Sequence, residues 1–279
     1  MSQGRCGMIP SSDGEEHETQ GEATKTVIGK RGRLWEVDAA RGVAILMMIL
    51  YHLTYDLDTF GGYGIESTSG FWALFADTTA SLFLFLVGVS LAISHTRAGA
   101  GANRTNGNLI TKYLLRGLGI FGYGMILTLV TWLAGVGVIA FGILHLIGVS
   151  IILAYPLLRF RLPNLVLGLA VILVGEYMRL QGISSESPWL LPLGVVPENL
   201  FMPDYRPLLP WFGVVLLGLF FGNLLYGRGY GVRDAGGNGP AFVRPLEFLG
   251  RHSLLIYLVH QPILVALLVL FGIVDFGGL

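Results

Sequence analysis

The chain has 279 residues, 53% of them hydrophobic and only 13% charged, with 18 basic and 18 acidic residues and a mean hydropathy of +0.66. A water-soluble domain carries about 25% charged residues, so this composition excludes an ordinary soluble fold and predicts a polytopic membrane protein. Zero net charge points to no class of partner, and nucleic acid is not expected among them.

Residues 1–30 are polar, rich in Ser, Gly, Glu and Thr, and contain no apolar run. They read as a disordered cytoplasmic tail, which leaves 31–279 as the membrane domain. No basic and apolar stretch precedes a small-residue cleavage site, so the first span is expected to be retained. Cys6, the one cysteine, lies in the tail; it can form no intramolecular disulfide and belongs to no metal motif.

Seven spans are predicted, at 37–57, 71–94, 112–134, 138–158, 162–180, 208–226 and 248–271, forming an all-α bundle. With the N-terminus in the cytoplasm, the loops place nearly every Lys and Arg inside and only Arg179 and Arg206 outside. The positive-inside rule then predicts an N-in, C-out orientation. The two Gly-, Asn- and Arg-rich inner loops, 95–111 and 227–245, read as mobile. The outer segment 181–207 holds Trp189, Phe201 and Tyr205 among five prolines and reads as an interfacial loop over the outer mouth. No internal repeat or inverted pair of broken spans is visible, which counts against an inverted-repeat transporter.

The first span carries the strongest local signal. Arg41 and His52 are eleven residues apart in an otherwise almost wholly apolar stretch. In a helix that separation is about 16 Å and returns to within roughly 20° of the same azimuth. A guanidinium and an imidazole on one face of a membrane helix are costly unless they line a protein cavity. Asp38, three residues before Arg41, can pair with it across the helix surface. Arg41 taken alone also fits a snorkelling residue at the membrane boundary. As a functional group it is an anchor for phosphate, which guanidinium binds with a planar fork. Arg116, in the first turns of the third span, extends that basic mouth.

Near the other end of the first span, His52 reaches a depth similar to that of Asp77 in the antiparallel second span. A carboxylate on one imidazole nitrogen would fix the tautomer and leave the other nitrogen as a base. Asp56, one turn beyond His52, is the competing partner, and Asp77 is preferred because Asp56 should be close to the surface and hydrated. The plain alternatives are an interfacial His52 bonded to Tyr51 or Tyr55 and an Asp77 kept neutral by burial. His145, His260 and Tyr55 are candidates for lining the cavity. Gln261-Pro262 inside the last span should free a backbone carbonyl near residue 258. None of the histidines has metal-ligand spacing, and no metal is expected.

Several of these pieces carry a resemblance. Asp38-x-x-Arg41-Gly42, with ten residues between Arg41 and His52, resembles the first-helix motif of acyltransferase-3-type membrane proteins. Ala76-Asp77 with Gly88 eleven residues on, Phe141-Gly-Ile-Leu-His-Leu-Ile-Gly148 and Asp204-Tyr-Arg-Pro-Leu-Leu-Pro-Trp-Phe-Gly213 resemble a second family. This is the heparan-alpha-glucosaminide N-acetyltransferase catalytic-domain family of the same transmembrane acyltransferase superfamily. The ending Leu249-Gly-Arg-His-Ser-Leu-Leu-Ile-Tyr-Leu-Val-His260 fits both. The resemblance covers residues 33 to about 265.

It implies transfer of an acyl group, typically acetyl, from cytosolic acetyl-CoA or another acyl-CoA to an extracytoplasmic glycan or lipid-linked acceptor. The Arg and His of the motif carry over to Arg41 and His52, in the cytoplasmic membrane of a prokaryote, with a homodimer left open. One departure stands out. The animal lysosomal enzyme places its functional histidine in the outer loop after the first span, and residues 57–70 here contain none. Either His52 has taken that duty or the protein is not an acetyltransferase acting on sugars. A transporter with a path lined by Arg, His and Asp is the rival reading.

Overall fold

The computed structural model describes residues 34–99, 106–135, 137–197, 202, 204–227 and 239–274. The expected tail at 1–30, Cys6 and the centres of both inner loops lie outside the described residues. Eight α-helices follow one another: α1 (Trp35–Thr59), α2 (Gly70–Gly99), α3 (Asn106–Leu133), α4 (Ile143–Ala154), α5 (Leu162–Leu180), α6 (Leu208–Tyr226), α7 (Arg244–Arg251) and α8 (Ser253–Leu270). Among the described residues there is no strand, only two isolated bridges, Gly142 with Tyr205 and Ser184 with Val196. Six of the helices are long and apolar enough to cross a membrane. The protein is a polytopic helical bundle.

Two of the seven expected spans differ from the sequence reading. The fourth, expected at 138–158, is helical only over Ile143–Leu157, counting the 3₁₀ turn Tyr155–Leu157 that extends α4. Fifteen residues rise about 22 Å, short of a hydrocarbon core of about 30 Å. The residues before α4 are not helical because other segments take their carbonyls. Arg206 N–H donates to the Phe141 carbonyl at 3.1 Å, and Thr128 Oγ1 donates to that of Ile139 at 2.5 Å. Irregular backbone is tolerated at such depth only when protein satisfies it in this way.

The seventh span, expected at 248–271, breaks at His252 into α7 and α8. Arg244, Glu247 and Arg251 make α7 too polar to continue an apolar span. It lies along α1 instead, where Gly42 meets the Leu246 carbonyl and Gly250 meets that of Asp38 so closely that neither position has room for a Cβ. In the same way Gly88 of α2 lies against the Val215 carbonyl, and Gly218 of α6 against that of Phe85. Lipid gives helices no hydrophobic reason to associate, so backbone proximity and van der Waals packing hold them. The core of the bundle is Leu84, Leu91, Leu146, Val215, Leu216 and Leu219, all essentially inaccessible. Leu115, Leu118, Met125, Ile126 and Leu129 of α3 and Leu169, Leu173 and Leu180 of α5 face outward, as lipid-facing helices do.

Candidate functional site

Polar side chains gather at the two ends of α1. At its N-terminal end, Asp38 is buried between two guanidinium groups: Arg41 Nη1 lies 3.3 Å from Oδ1, and Arg251 Nε lies 3.6 Å from Oδ2. Arg41 Nη2 also donates to Ser90 Oγ of α2 at 2.5 Å. Glu247 ties the same end together, accepting from Arg251 Nη2 at 2.7 Å and from the Gly239 N–H at 3.0 Å. A cavity of about 470 Å³ opens here between α1, α2, α3 and the α7–α8 break. Its lining includes Arg41, Arg97, Lys112, Arg116 and Arg251, with Asp38 as the one carboxylate among the described residues. The expected grouping of Asp38, Arg41 and Arg116 is therefore present. Arg97, Lys112 and Arg251 join it, although the sequence marked them only as basic residues of one side.

At the other end His52 is half-buried. Its ring is 5.6 Å from that of Tyr51 and 4.8 Å from that of His260 on α8, both edge-on. Tyr55, a turn further on, meets Tyr51 at 6.4 Å. Asp77 does not hydrogen-bond His52. Its half-exposed carboxylate pairs with Arg206 Nη2 at 3.4 Å, and the Arg206 guanidinium lies 4.9 Å over the Trp211 ring. The Arg206 guanidinium, from the loop before α6, brings a full positive charge and several N–H donors to the carboxylate, which an uncharged imidazole does not.

Asp56 is also not where the sequence reading put it. It is fully buried rather than hydrated, and accepts from Gln261 Nε2 of α8 at 2.6 Å. Gln261-Pro262 thus sits in a continuous helix, its amide turned onto α1.

Asp204, which the sequence reading passed over as a site residue, is the hinge of this end. Its Oδ2 accepts from the Tyr257 hydroxyl at 2.9 Å and from the Ile143 N–H at 3.2 Å, so it joins the loop, α8 and the start of α4. Burial pushes the Asp204 carboxyl above the usual carboxylate range, with the Arg206 charge opposing. Burial also pushes the neighbouring Tyr205 hydroxyl up to about 12, and that hydroxyl donates to the Leu191 carbonyl at 2.6 Å. The signal available in the sequence was the pair of charges Asp204 and Arg206 in an otherwise aromatic, proline-rich loop.

His145 belongs to neither cluster. Its Nδ1 accepts from the Gly142 N–H at 3.2 Å, capping its own helix, and its ring is packed between Phe121 and Phe141. A buried helix start needs such a partner, and His145 Nδ1 supplies it. His260 does reach the cluster, and lies against His52. Among the described residues no three His, Cys, Asp or Glu side chains converge as metal ligands would.

Composition and fold define an integral, multi-pass membrane protein with a basic cavity at one end of a helix and an imidazole cluster at the other. The model of the heparan-alpha-glucosaminide N-acetyltransferase catalytic family matches residues 33–262, and the chain belongs to that family of membrane acyltransferases. The matched region runs from before α1 to Pro262 and contains both clusters. No curated protein and no solved structure matches the chain.

Proposed function

We propose that the protein transfers an acyl group, acetyl in the first instance, from acyl-CoA on the cytoplasmic side to a glycan or lipid-linked acceptor on the other side. Membership of an acetyltransferase family supports the reaction class. The observation that carries the arrangement is the cavity lined by Arg41, Arg97, Lys112, Arg116 and Arg251, with Arg41 on the same helix as His52. Such a cavity suits the phosphates of CoA, which guanidinium and ammonium groups hold by charge-assisted hydrogen bonds. An extended pantetheine arm is about as long as the roughly 16 Å from Arg41 to His52 and would deliver the thioester there.

His52 serves as the general base. The acceptor O–H or N–H proton passes to its free ring nitrogen while the acceptor atom bonds to the thioester carbonyl carbon. Collapse of that adduct breaks the C–S bond, and the sulfur leaves as the thiol with the proton from His52. Asp77 takes a role different from the tautomer holder expected of it. Paired with Arg206 beside Trp211, it presents a carboxylate, a guanidinium and an aromatic face to the hydroxyls of an acceptor. A family tie to acetyltransferases favours this reading over the transporter.

The test uses purified protein in detergent with acetyl-CoA and a panel of amino-sugar and lipid-linked sugar acceptors. The expected result is acceptor-dependent thiol release together with an acetylated product. Thiol release no faster than in buffer, with CoA neither bound nor consumed, overturns the proposal. For the orientation, a reporter active only in the cytoplasm and fused after Leu279 should be silent; a signal from it reverses the placement of the acceptor.

A further inference from the structure

His52 and His260 approach one another from α1 and α8 with ring centroids 4.8 Å apart and planes inclined at 63°. Each ring has one buried nitrogen without a hydrogen bond, Nδ1 of His52 and Nε2 of His260. For His260 the position of the proton follows from chemistry. Its Nδ1 lies 2.7 Å from the Tyr257 carbonyl oxygen, and a carbonyl has no hydrogen to give. Nδ1 therefore carries the N–H, and the lone pair falls on Nε2. A buried acceptor without a donor is costly, and a ring N–H on the adjacent imidazole is the complementary group. The neighbouring residue sets the register: Gln261 donates to the fully buried Asp56, one turn beyond His52, and so pins α8 to α1.

We propose that His260 is the positioning residue for His52. Its Nε2 accepts from a His52 Nδ1–H after a small rotation of either ring, which leaves the His52 Nε2 lone pair for the acceptor. The Asp56–Gln261 bond keeps the two rings in register. This rests on the acyl-transfer reading and deepens it at the base: an imidazole occupies the place where a carboxylate was expected.

The step balances without any further reactant. When His52 Nε2 takes the acceptor's proton, the positive charge is shared through Nδ1–H···Nε2 with His260, whose own Nδ1–H points at the Tyr257 carbonyl dipole. When the thiolate removes that proton, both rings are neutral again. In the resting site a neutral pair avoids placing a fixed charge against the base, which a membrane interior penalises.

The test is the tautomer of His52, read from two-bond ¹⁵N–¹H imidazole spectra of histidine-labelled protein in detergent. The His52 signal is assigned by its loss in His52→Gln. The wild type should show the Nδ1–H form. His260→Phe, which keeps a ring and removes the acceptor, should convert His52 largely to the Nε2–H form and lower kcat by about 10²-fold, with the acyl-CoA KM unchanged. His260→Gln, whose carbonyl can accept, should hold the Nδ1–H form and recover turnover to within about tenfold of wild type. If His260→Phe does not fold, Gln261→Leu loosens the register and should mix the tautomers. A wild-type His52 in the Nε2–H form, or a tautomer indifferent to these substitutions, overturns the proposal. Turnover with an unmoved tautomer sinks the pair and spares the acyl transfer. A tautomer switch in a protein that consumes no acyl-CoA keeps the pair and sinks the acyl transfer.

Discussion

The two ends of α1 solve the problem of polar groups in a membrane protein in opposite ways. At the basic end five cations line one cavity, two of them on the buried Asp38 and one of these also on the buried Glu247, which makes the cavity suited to an anion. At the other end each carboxylate already has a protein partner: Asp77 has Arg206, Asp204 has Tyr257 and Ile143, and Asp56 has Gln261. Two imidazoles there each keep one buried nitrogen without a hydrogen bond, beside the second oxygen of Asp56 and the amide oxygen of Gln261. On the acyl-transfer reading proposed above, the difference separates donor binding at the basic cavity from proton transfer at the imidazole pair.

If that division is right, its largest consequence is at His52. Replacing it with Ala should abolish measurable acyl transfer and leave CoA bound, because the ring lies about three helical turns from the phosphates. Calorimetric titration with CoA beside a turnover assay separates the two effects; near wild-type turnover would move the base elsewhere and erase the contrast between the ends.

The next largest effect belongs to the basic cavity. Arg41→Ala should weaken CoA binding by about 1.5–3 kcal/mol, roughly 10- to 150-fold, as a charge-assisted phosphate contact is lost. Arg41→Lys should recover only part of this, since the planar fork is gone. Unchanged affinity in a folded Arg41→Ala protein would reassign the residue to its bonds with Asp38 and Ser90.

A smaller effect sharpens the comparison through pH. The folded-state value of Asp204 is raised by burial, so the stability it contributes is complete below the unfolded carboxylate value of about 4 and is lost as pH rises through the folded one. Asp204→Asn removes that dependence and keeps a side chain suited to the positive φ of 53° at this position. Thermal melts in detergent from about pH 4, the unfolded carboxylate value, up to about pH 8 should therefore fall more steeply with pH for wild type than for the variant. Equal slopes would mean that Asp204 is ionised throughout.

The smallest effect is expected at Asp77. Its carboxylate is 57% exposed, so Asp77→Asn should cost only about 0–1 kcal/mol of stability. In activity it should raise the acceptor KM more than it lowers kcat, as befits a contact to acceptor hydroxyls. A large loss of kcat with an unchanged KM would restore the His52–Asp77 dyad that the sequence suggested and the Arg206 pair displaced.

Several errors of the sequence reading share one cause. Asp77 was matched to His52 because both lie at similar depth on adjacent spans, but the loop before α6 delivers a guanidinium to the same place. Asp56 was set aside as hydrated because it is near a span end, yet α8 covers it with a residue 205 positions away. His145, a cavity-lining candidate by its motif, caps the short α4. The fourth span came out shorter than its apolar run because Arg206 and Thr128 take the carbonyls of Phe141 and Ile139.

What the sequence determined by itself is whatever depends on a short window of chain. Membrane character follows from runs of about twenty apolar residues, and the shared face of Arg41 and His52 follows from helical periodicity alone. The basic mouth was legible in outline, since the positive-inside reading assigns all of its basic residues to the same ends of the spans. Only the tertiary structure decided which polar groups meet, because each buried donor or acceptor takes the best partner that packing brings within reach, at any distance along the chain. That rule gave Asp77 to Arg206, Asp56 to Gln261 and the face of His52 to His260, and no local pattern encodes it.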